Sequence, residues 1–207
     1  MGAREHWERI YAGKPLEQMS WHRPHLKSSL ALIERVAGDP AAAIIDVGGG
    51  ASTLVDDLIA LGYRNVTVLD ISRSAVGITR KRLGEAGGLV RWVNADVTDA
   101  VFSERMYDVW HDRAVFHFLT EAEQRRAYVR NVLSAVKPGG HVIVSTFGLG
   151  GPKKCSGLDV VRYDAQSLTD EFGARFRLME SFTEMHQTPW GTGQEFLFCC
   201  WELEGAG

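Results

Sequence analysis

The sequence is poor in cysteine, holds no long apolar run and carries no block of like charge. Its 207 residues include only three cysteines, Cys155, Cys199 and Cys200, an odd number with two of them adjacent. That pattern argues against a disulfide framework and for a reducing compartment. No stretch approaches the roughly 20 apolar residues that cross a bilayer. The charged start MGAREHWERIYAGK does not read as a secretion signal. The expectation is therefore a cytoplasmic protein with no membrane partner. Basic and acidic residues nearly balance, for a net charge of −3, so no basic patch invites nucleic acid. Repeats and low-complexity segments are also missing.

What is present is an ordinary globular composition, 45% apolar, in a length that suits one domain with a sizeable core. Apolar residues at helical spacing predict helices over 3–12 and 26–36. From Ala42 to Val47 the chain is continuously apolar apart from Asp46, and it stops at Gly48-Gly49-Gly50. That is the pattern of a strand buried on both faces of a parallel sheet. Further strands are expected at 65–70, 89–94, 107–110 and 141–147. Helices are expected between them, at 52–61, 72–83 (capped by Ser72) and 120–136 (Thr120 with Glu123 as capping box). Lys137-Pro138-Gly139-Gly140 reads as a turn. Strand–helix alternation with short links implies a parallel sheet with right-handed crossovers. Beyond a loop at 148–160 come a helix at 165–172 and two strands, 175–183 and 194–202, forming a hairpin. The expected fold is α/β, Rossmann-like and doubly wound, with a mostly parallel seven-stranded sheet and a C-terminal antiparallel hairpin strand. It divides into an N-terminal cap or lid (1–38), a cofactor-binding core (40–147) and a substrate loop with the terminal hairpin (148–207).

Three signals fall at the C-terminal ends of consecutive strands. Asp46 and the glycines Gly48, Gly49 and Gly50, then Ser52, form a tight turn that lets backbone N–H groups approach a ligand beside a helix N-terminus. Asp70 ends the second strand about 20 residues on, where a carboxylate can accept from both hydroxyls of a ribose. Asp96 follows the third strand and can take an adenine amino group. Taken singly, each has a plainer reading: a generic turn, a helix cap, a loop aspartate. A dinucleotide fingerprint would need Gly or Ala at position 53, where Thr53 stands.

These residues resemble the class I S-adenosylmethionine-dependent methyltransferases, well over 40–147 and in outline through the tail. The resemblance implies S-adenosylmethionine as cofactor, with Asp46, Gly48 and Gly50 as the glycine turn. Ser52 stands where a third glycine is usual. Asp70 with Ile71 and Asp96 with Val97 match the acids and apolar neighbours around the adenosine. The segment 107–114, Asp112 included, matches the motif near the methyl group. A small stand-alone bacterial branch, similar in outline to thiol and thiopurine methyltransferases, shares Ser20-Trp21-His22, 112–119 and 151–157. That similarity implies a small, soft acceptor.

Acceptor-positioning candidates are Trp21 and His22 in a lid with Trp7 and Tyr11, and Asp112, Arg113 and His117 after the fourth strand beside His111. The substrate loop adds Cys155, Arg162 and Tyr163. Plainer readings exist for each: core aromatics, an Asp112–Arg113 pair, a buried histidine, a bystander thiol. No His/Cys/carboxylate cluster has metal-ligand spacing. Expected partners are a small-molecule substrate, with the chain a monomer or homodimer. A lysine or terminal-amine protein methyltransferase and a cofactor-binding protein without catalysis are the competing readings.

Overall fold

The computed structural model describes residues 2–13 and 15–205. The short apolar runs become parallel strands, since a run buried on both faces can exclude water only inside a sheet covered by helices. They are β1 (Ala43–Val47), β2 (Asn65–Asp70), β3 (Val90–Asn94), β4 (Tyr107–Arg113) and β5 (Val136–Phe147). A two-stranded loop hairpin, β6 (Lys154–Cys155) with β7 (Leu158–Asp159), precedes the terminal hairpin of β8 (Phe176–Gln187) and β9 (Gly193–Leu203). The main sheet has seven strands in the order β3-β2-β1-β4-β5-β9-β8. β9 runs antiparallel to both β5 and β8, so the reversed strand anticipated from the sequence is present.

Helices α1 (Ala3–Gly13), α2 (Lys27–Val36), α3 (Leu54–Ala60), α4 (Arg73–Leu83), α5 (Ala122–Ala135) and α6 (Ala165–Phe172) surround this sheet. Alternate side chains of each strand serve two separate cores. One joins Trp110, Tyr128, Phe172 and Trp201, with Phe172 stacked on Trp201 at 4.8 Å. The other joins Ile33, Ile44, Leu54, Val109, Ile143 and Phe198.

Several boundaries differ from expectation. β4 continues three residues past the expected end and carries His111, Asp112 and Arg113 as strand residues. The buried Asp112 carboxylate is tolerated there because both of its oxygens are hydrogen-bonded. The anticipated turn at 137–140 lies inside β5, looped out where Tyr107 pairs Val136 and Val109 pairs His141. Gly139 adopts φ +77° at its tip, a conformation that suits glycine. Helix α5 is capped by Glu121 with Gln124, one residue after the expected Thr120 and Glu123; Glu123 pairs instead with Arg126 and Arg130. The loop at 148–160 contains the β6–β7 hairpin, turned by Ser156 (φ +50°) and Gly157 (φ +84°). The terminal strands extend inward to leave a loop of only 188–192, which places His186 on β8.

Candidate active site

The exit of β1 makes the tightest turn in the cleft. Gly48 takes φ +72°, and a Cβ there would stand 2.1 Å from Val115. At Gly49 it would stand 2.1 Å from the Asp46 carboxylate, and at Gly50 2.6 Å from that of Asp70. Only glycine fits all three positions, and the backbone they expose faces the cleft at Gly48 and Gly49. Gly50 faces away and donates its N–H to Asp70. Ser52 lines the cleft, and its hydroxyl accepts from the N–H of Leu54.

Asp70 sits at the end of β2, buried, with Oδ2 on the Gly50 N–H at 3.0 Å and Oδ1 on the Ser72 N–H at 2.8 Å. Each oxygen keeps a lone pair for a further donor. Burial pushes this carboxyl up to about 6 against the lowering pull of the two N–H groups, with Asp46 and Glu8 adding repulsion. A pair of adjacent hydroxyls, such as those of a ribose, would fit these two open acceptors. Ile71 and Val97 form apolar walls on either side. Asp96 spends Oδ1 on the N–H and hydroxyl of Thr98, at 2.9 and 2.7 Å, and remains part of the lining.

Beneath the glycine turn, Asp46 Oδ1 holds His111 Nδ1 at 2.7 Å in a buried pair. Asp46 Oδ2 and His111 Nε2 are buried with no partner among the described residues. Both residues line the cleft. Where Nδ1–H donates to Asp46, the other ring nitrogen of His111 is left beside a carboxylate oxygen that still accepts. An ammonium group, which only donates, fits that set. The glycine cradle, the open lone pairs of Asp70 and this acceptor pair together fit a nucleoside carrying an amino-acid tail.

The N-terminal segment forms the roof. Helix α1 is anchored by Glu8, whose Oε1 accepts the N–H of Arg73 at 2.6 Å and whose Oε2 accepts from Ser74 N–H and Ser72 hydroxyl at 3.1 Å. These are the orphan donors at the N-terminus of α4. Nothing in the sequence pattern pointed to Glu8, because its partners are 64–66 residues away. Arg4 adds contacts to the Ile71 carbonyl and Asn94. Trp7 meets Phe118 edge-on at 5.1 Å, and Tyr11 meets Trp21 at 5.9 Å. All four rings and His22 line the cleft.

The fourth-strand candidates separate. Arg113 lines the cleft, with its Nη1 donating to the Trp21 carbonyl at 3.1 Å and its guanidinium over the Phe196 ring at 4.6 Å. Burial lowers it to about 10. It does not pair with Asp112, and no carboxylate among the described residues lies within ion-pair distance. Asp112 lies behind the wall. It accepts the N–H groups of Val115 and Phe116, at 2.8 and 3.1 Å, and the Tyr128 hydroxyl at 2.7 Å. Ala114, at φ +71°, is the strained residue that this carboxylate braces. The expected contact of Asp112 with cofactor and acceptor is thus replaced by support of the turn that carries Arg113, Ala114 and Val115. His117 is also displaced from the expected role. It is fully buried, its Nδ1 accepts the Phe147 N–H at 3.2 Å, and burial drives it down to about 3.

Of the three substrate-loop candidates Cys155 alone lines the cleft, with Leu158 of the same hairpin beside it. Burial raises its thiol, against pulls from Ser156, Ser20 and Arg113. Arg162 instead ties the carbonyls of Leu149 and Gly151, at 2.6 and 3.1 Å. Tyr163 is buried against Phe116. Both differ from the expectation of substrate contact because the short β6–β7 hairpin folds Cys155 inward and leaves 162–163 on the sheet side. No cluster of three or more metal-ligating side chains occurs among the described residues.

Residues 44–140 match a family described as a methyltransferase domain. Nodulation protein S of Rhizobium tropici is 29% identical over 60% of this chain and 50% of its own length. EEF1A lysine methyltransferase 2 of Danio rerio is 26% identical over 51% of this chain and 48% of its own length. The chain spans about half the length of the curated relatives it matches. Among solved structures, one described as "Conversion of a Disulfide Bond into a Thioacetal Group during Echinomycin Biosynthesis" superposes with TM-score 0.76 at 19% identity, over 98% of this chain and 92% of that one. The N-methyltransferase NodS from Bradyrhizobium japonicum, in complex with S-adenosylhomocysteine, superposes with TM-score 0.68 at 15% identity, over 92% and 97%. Sheet order, glycine turn and strand-end acids agree with these matches: residues 44–140 are similar to a methyltransferase domain, on the fold that these solved structures share.

Proposed function

We propose that the protein transfers the methyl group of S-adenosylmethionine to a small-molecule acceptor bearing a soft nucleophile, a thiol being the favoured class. The observation that carries this reading is the aromatic roof of Trp7, Tyr11, Trp21 and Phe118 over the cleft. A side chain of a folded protein substrate would need an open groove in its place. The relatives named for lysine methylation keep a protein acceptor as the competing outcome.

When bound, the cofactor supplies a methyl group already activated by its sulfonium sulfur. In this reading Asp70, Ile71, Asp96 and Val97 hold the adenosine, while Asp46, His111 and the backbone at Gly48 and Gly49 hold the amino-acid end. Trp21, His22 and Arg113 orient the acceptor, and the roof excludes water. Such alignment supplies roughly 7 to 11 kcal/mol of the barrier. Arg113 has donors to spare and no carboxylate partner, so its charge favours the ionised form of a thiol acceptor. The thiol proton leaves to solvent before transfer, and no base in the cleft is required. Cys155, held as a thiol by burial, shapes the pocket wall.

The test is transfer of labelled methyl groups into a fractionated cell extract, followed by a panel of thiols. Label in the small-molecule fraction, enriched on sulfur, is expected. Label confined to protein would overturn the proposal. Heat from titrated S-adenosylhomocysteine with no labelled product in any fraction would point to cofactor binding without catalysis.

A further inference from the structure

The segment Ser20–Arg23, whose Trp21, His22 and Arg23 line the cleft, has no helix or strand of its own to hold it. Arg113 takes the Trp21 carbonyl at 3.1 Å, and the Thr53 hydroxyl donates to the Arg23 carbonyl at 3.0 Å. Trp21 also meets the Tyr11 ring of α1, and further polar anchors come from β8. His186 is completely buried there, edge-on to Phe196 at 5.9 Å, and outside the cleft lining. The Arg23 Nε donates to His186 Nδ1 at 2.7 Å, and His186 Nε2 meets the Ser20 carbonyl at 2.6 Å. Arg23 also pairs with Glu184 at 2.9 Å.

The chemistry of the two partners fixes the state of the ring. Arginine offers only donors and keeps its proton at any working pH. A carbonyl only accepts. Nδ1 must therefore present its lone pair to Arg23, and Nε2 must carry the proton that goes to Ser20. The ring is neutral, in one tautomer, and both of its nitrogens are spent on the same four-residue segment. A second proton would sit on Nδ1 and aim N–H at N–H.

We propose that His186 is a positioning residue for the active-site cleft: its neutral ring clamps the 20–23 wall, and taking up a proton from solvent at Nδ1 opens that clamp. The charged groups facing the ring are Arg23 from the wall, Glu184 from the same strand and Arg113 from β4. Burial is the largest influence and, with the two arginines, outweighs the pull of the Ser20 carbonyl and Glu184. The ring titrates below the ordinary 6.5, so the clamp is closed at neutral pH and opens on acidification. The inference rests on the reading of this cleft as the catalytic site.

The experiment follows amide hydrogen exchange of the segment 16–24 in the full chain between pH 8 and pH 5, corrected for intrinsic exchange, in the parent, His186→Gln and His186→Ala. In the parent, protection is expected to fall roughly tenfold on the acid side, the loss of one buried hydrogen bond. His186→Gln keeps a donor and an acceptor but no titrating nitrogen, so its curve is expected to be flat across the same range. His186→Ala is expected to be unprotected throughout. Nitrogen chemical shifts of the ring in the parent should show the proton on Nε2 at pH 7.5. That reading and the parent's own pH curve stand even where a variant fails to fold. A parent curve without an acid limb, a His186→Gln curve that follows the parent's, or a proton on Nδ1 at neutral pH sinks the proposal. Absence of heat from S-adenosylhomocysteine in the parent would instead sink the reading of the cleft.

Discussion

A buried carboxylate with two bonds made and two lone pairs open is a ligand site whose strength depends on pH. Asp70 in the free protein titrates at about 6, and only its ionised form can accept from both hydroxyls of a ribose while keeping both of its N–H bonds. Binding therefore expels a proton below that pH, and affinity falls about tenfold per unit as the solution is acidified further. Asp70→Asn should bind S-adenosylhomocysteine roughly 10- to 100-fold more weakly at pH 7.5, the cost of two charge-assisted hydrogen bonds. It should also lose the acid dependence; calorimetry from pH 5 to 8 checks both. His117 behaves in the opposite sense. Its folded value of about 3 lies below the ordinary 6.5, so the unfolded chain takes a proton that the folded chain refuses, and stability is lost as pH falls through 6.5. His117→Asn can retain an acceptor for the Phe147 N–H without titrating. Its destabilisation should therefore shrink by about 2 kcal/mol between pH 8 and pH 5 in denaturant titrations. Of these two, Asp70 was legible in the sequence because strand end and spacing defined its place. His117 stayed open between a site role and a buried histidine, because an aromatic-flanked histidine looks the same whether it faces a cleft or a core; its backbone partner is 30 residues away.

At the scale of elements, local pattern and long-range docking parted company. The parallel strands were visible as short apolar runs bounded by turns, and the Ser72 cap sits where the sequence put it, accepting from the Ala75 N–H at 3.1 Å. The continuation of β4 through Asp112 was not visible, since a charged residue ends an apolar run on paper and only Tyr128 and two backbone amides make it tolerable inside. The docking of α1 was equally hidden. Its helical spacing was plain, but the carboxylate that fastens it acts on another helix. Glu8→Gln removes a charge from the N-terminus of α4, an interaction worth about 0.3–1 kcal/mol. S-adenosylhomocysteine should then dissociate two- to fivefold faster in stopped-flow displacement, with little change in thermal stability. An unchanged rate would mean that α1 does not govern release.

For the whole molecule, the two cores share the seven strands of one sheet. Melting one exposes the other, so a single cooperative transition is expected. A ligand seated across the ends of β1, β2 and β3 should then raise the stability of everything together. At 100 times its dissociation constant, S-adenosylhomocysteine contributes about 2.7 kcal/mol, which moves the midpoint by roughly 5 to 11 °C for a chain of this size. Scanning calorimetry that resolved two peaks, with only one of them shifted, would contradict the shared sheet as the cooperative unit. The overall architecture was readable from alternation alone because crossover handedness and burial leave few arrangements for such a string of elements.

The wall at Ser20–Arg23 and its anchor at His186 stand 163 to 166 residues apart. A ribosome adding about 5–20 residues per second takes roughly 8 to 33 s to travel that distance. In the later part of that interval, once β4 has followed β1 and β2, the glycine turn and Asp70 can already be folded, while the strand that fastens the wall does not yet exist. A nascent chain arrested before β8 would present a nucleoside shelf without its latched side. Retention of the cofactor therefore waits on the synthesis of β8, long after the shelf it closes.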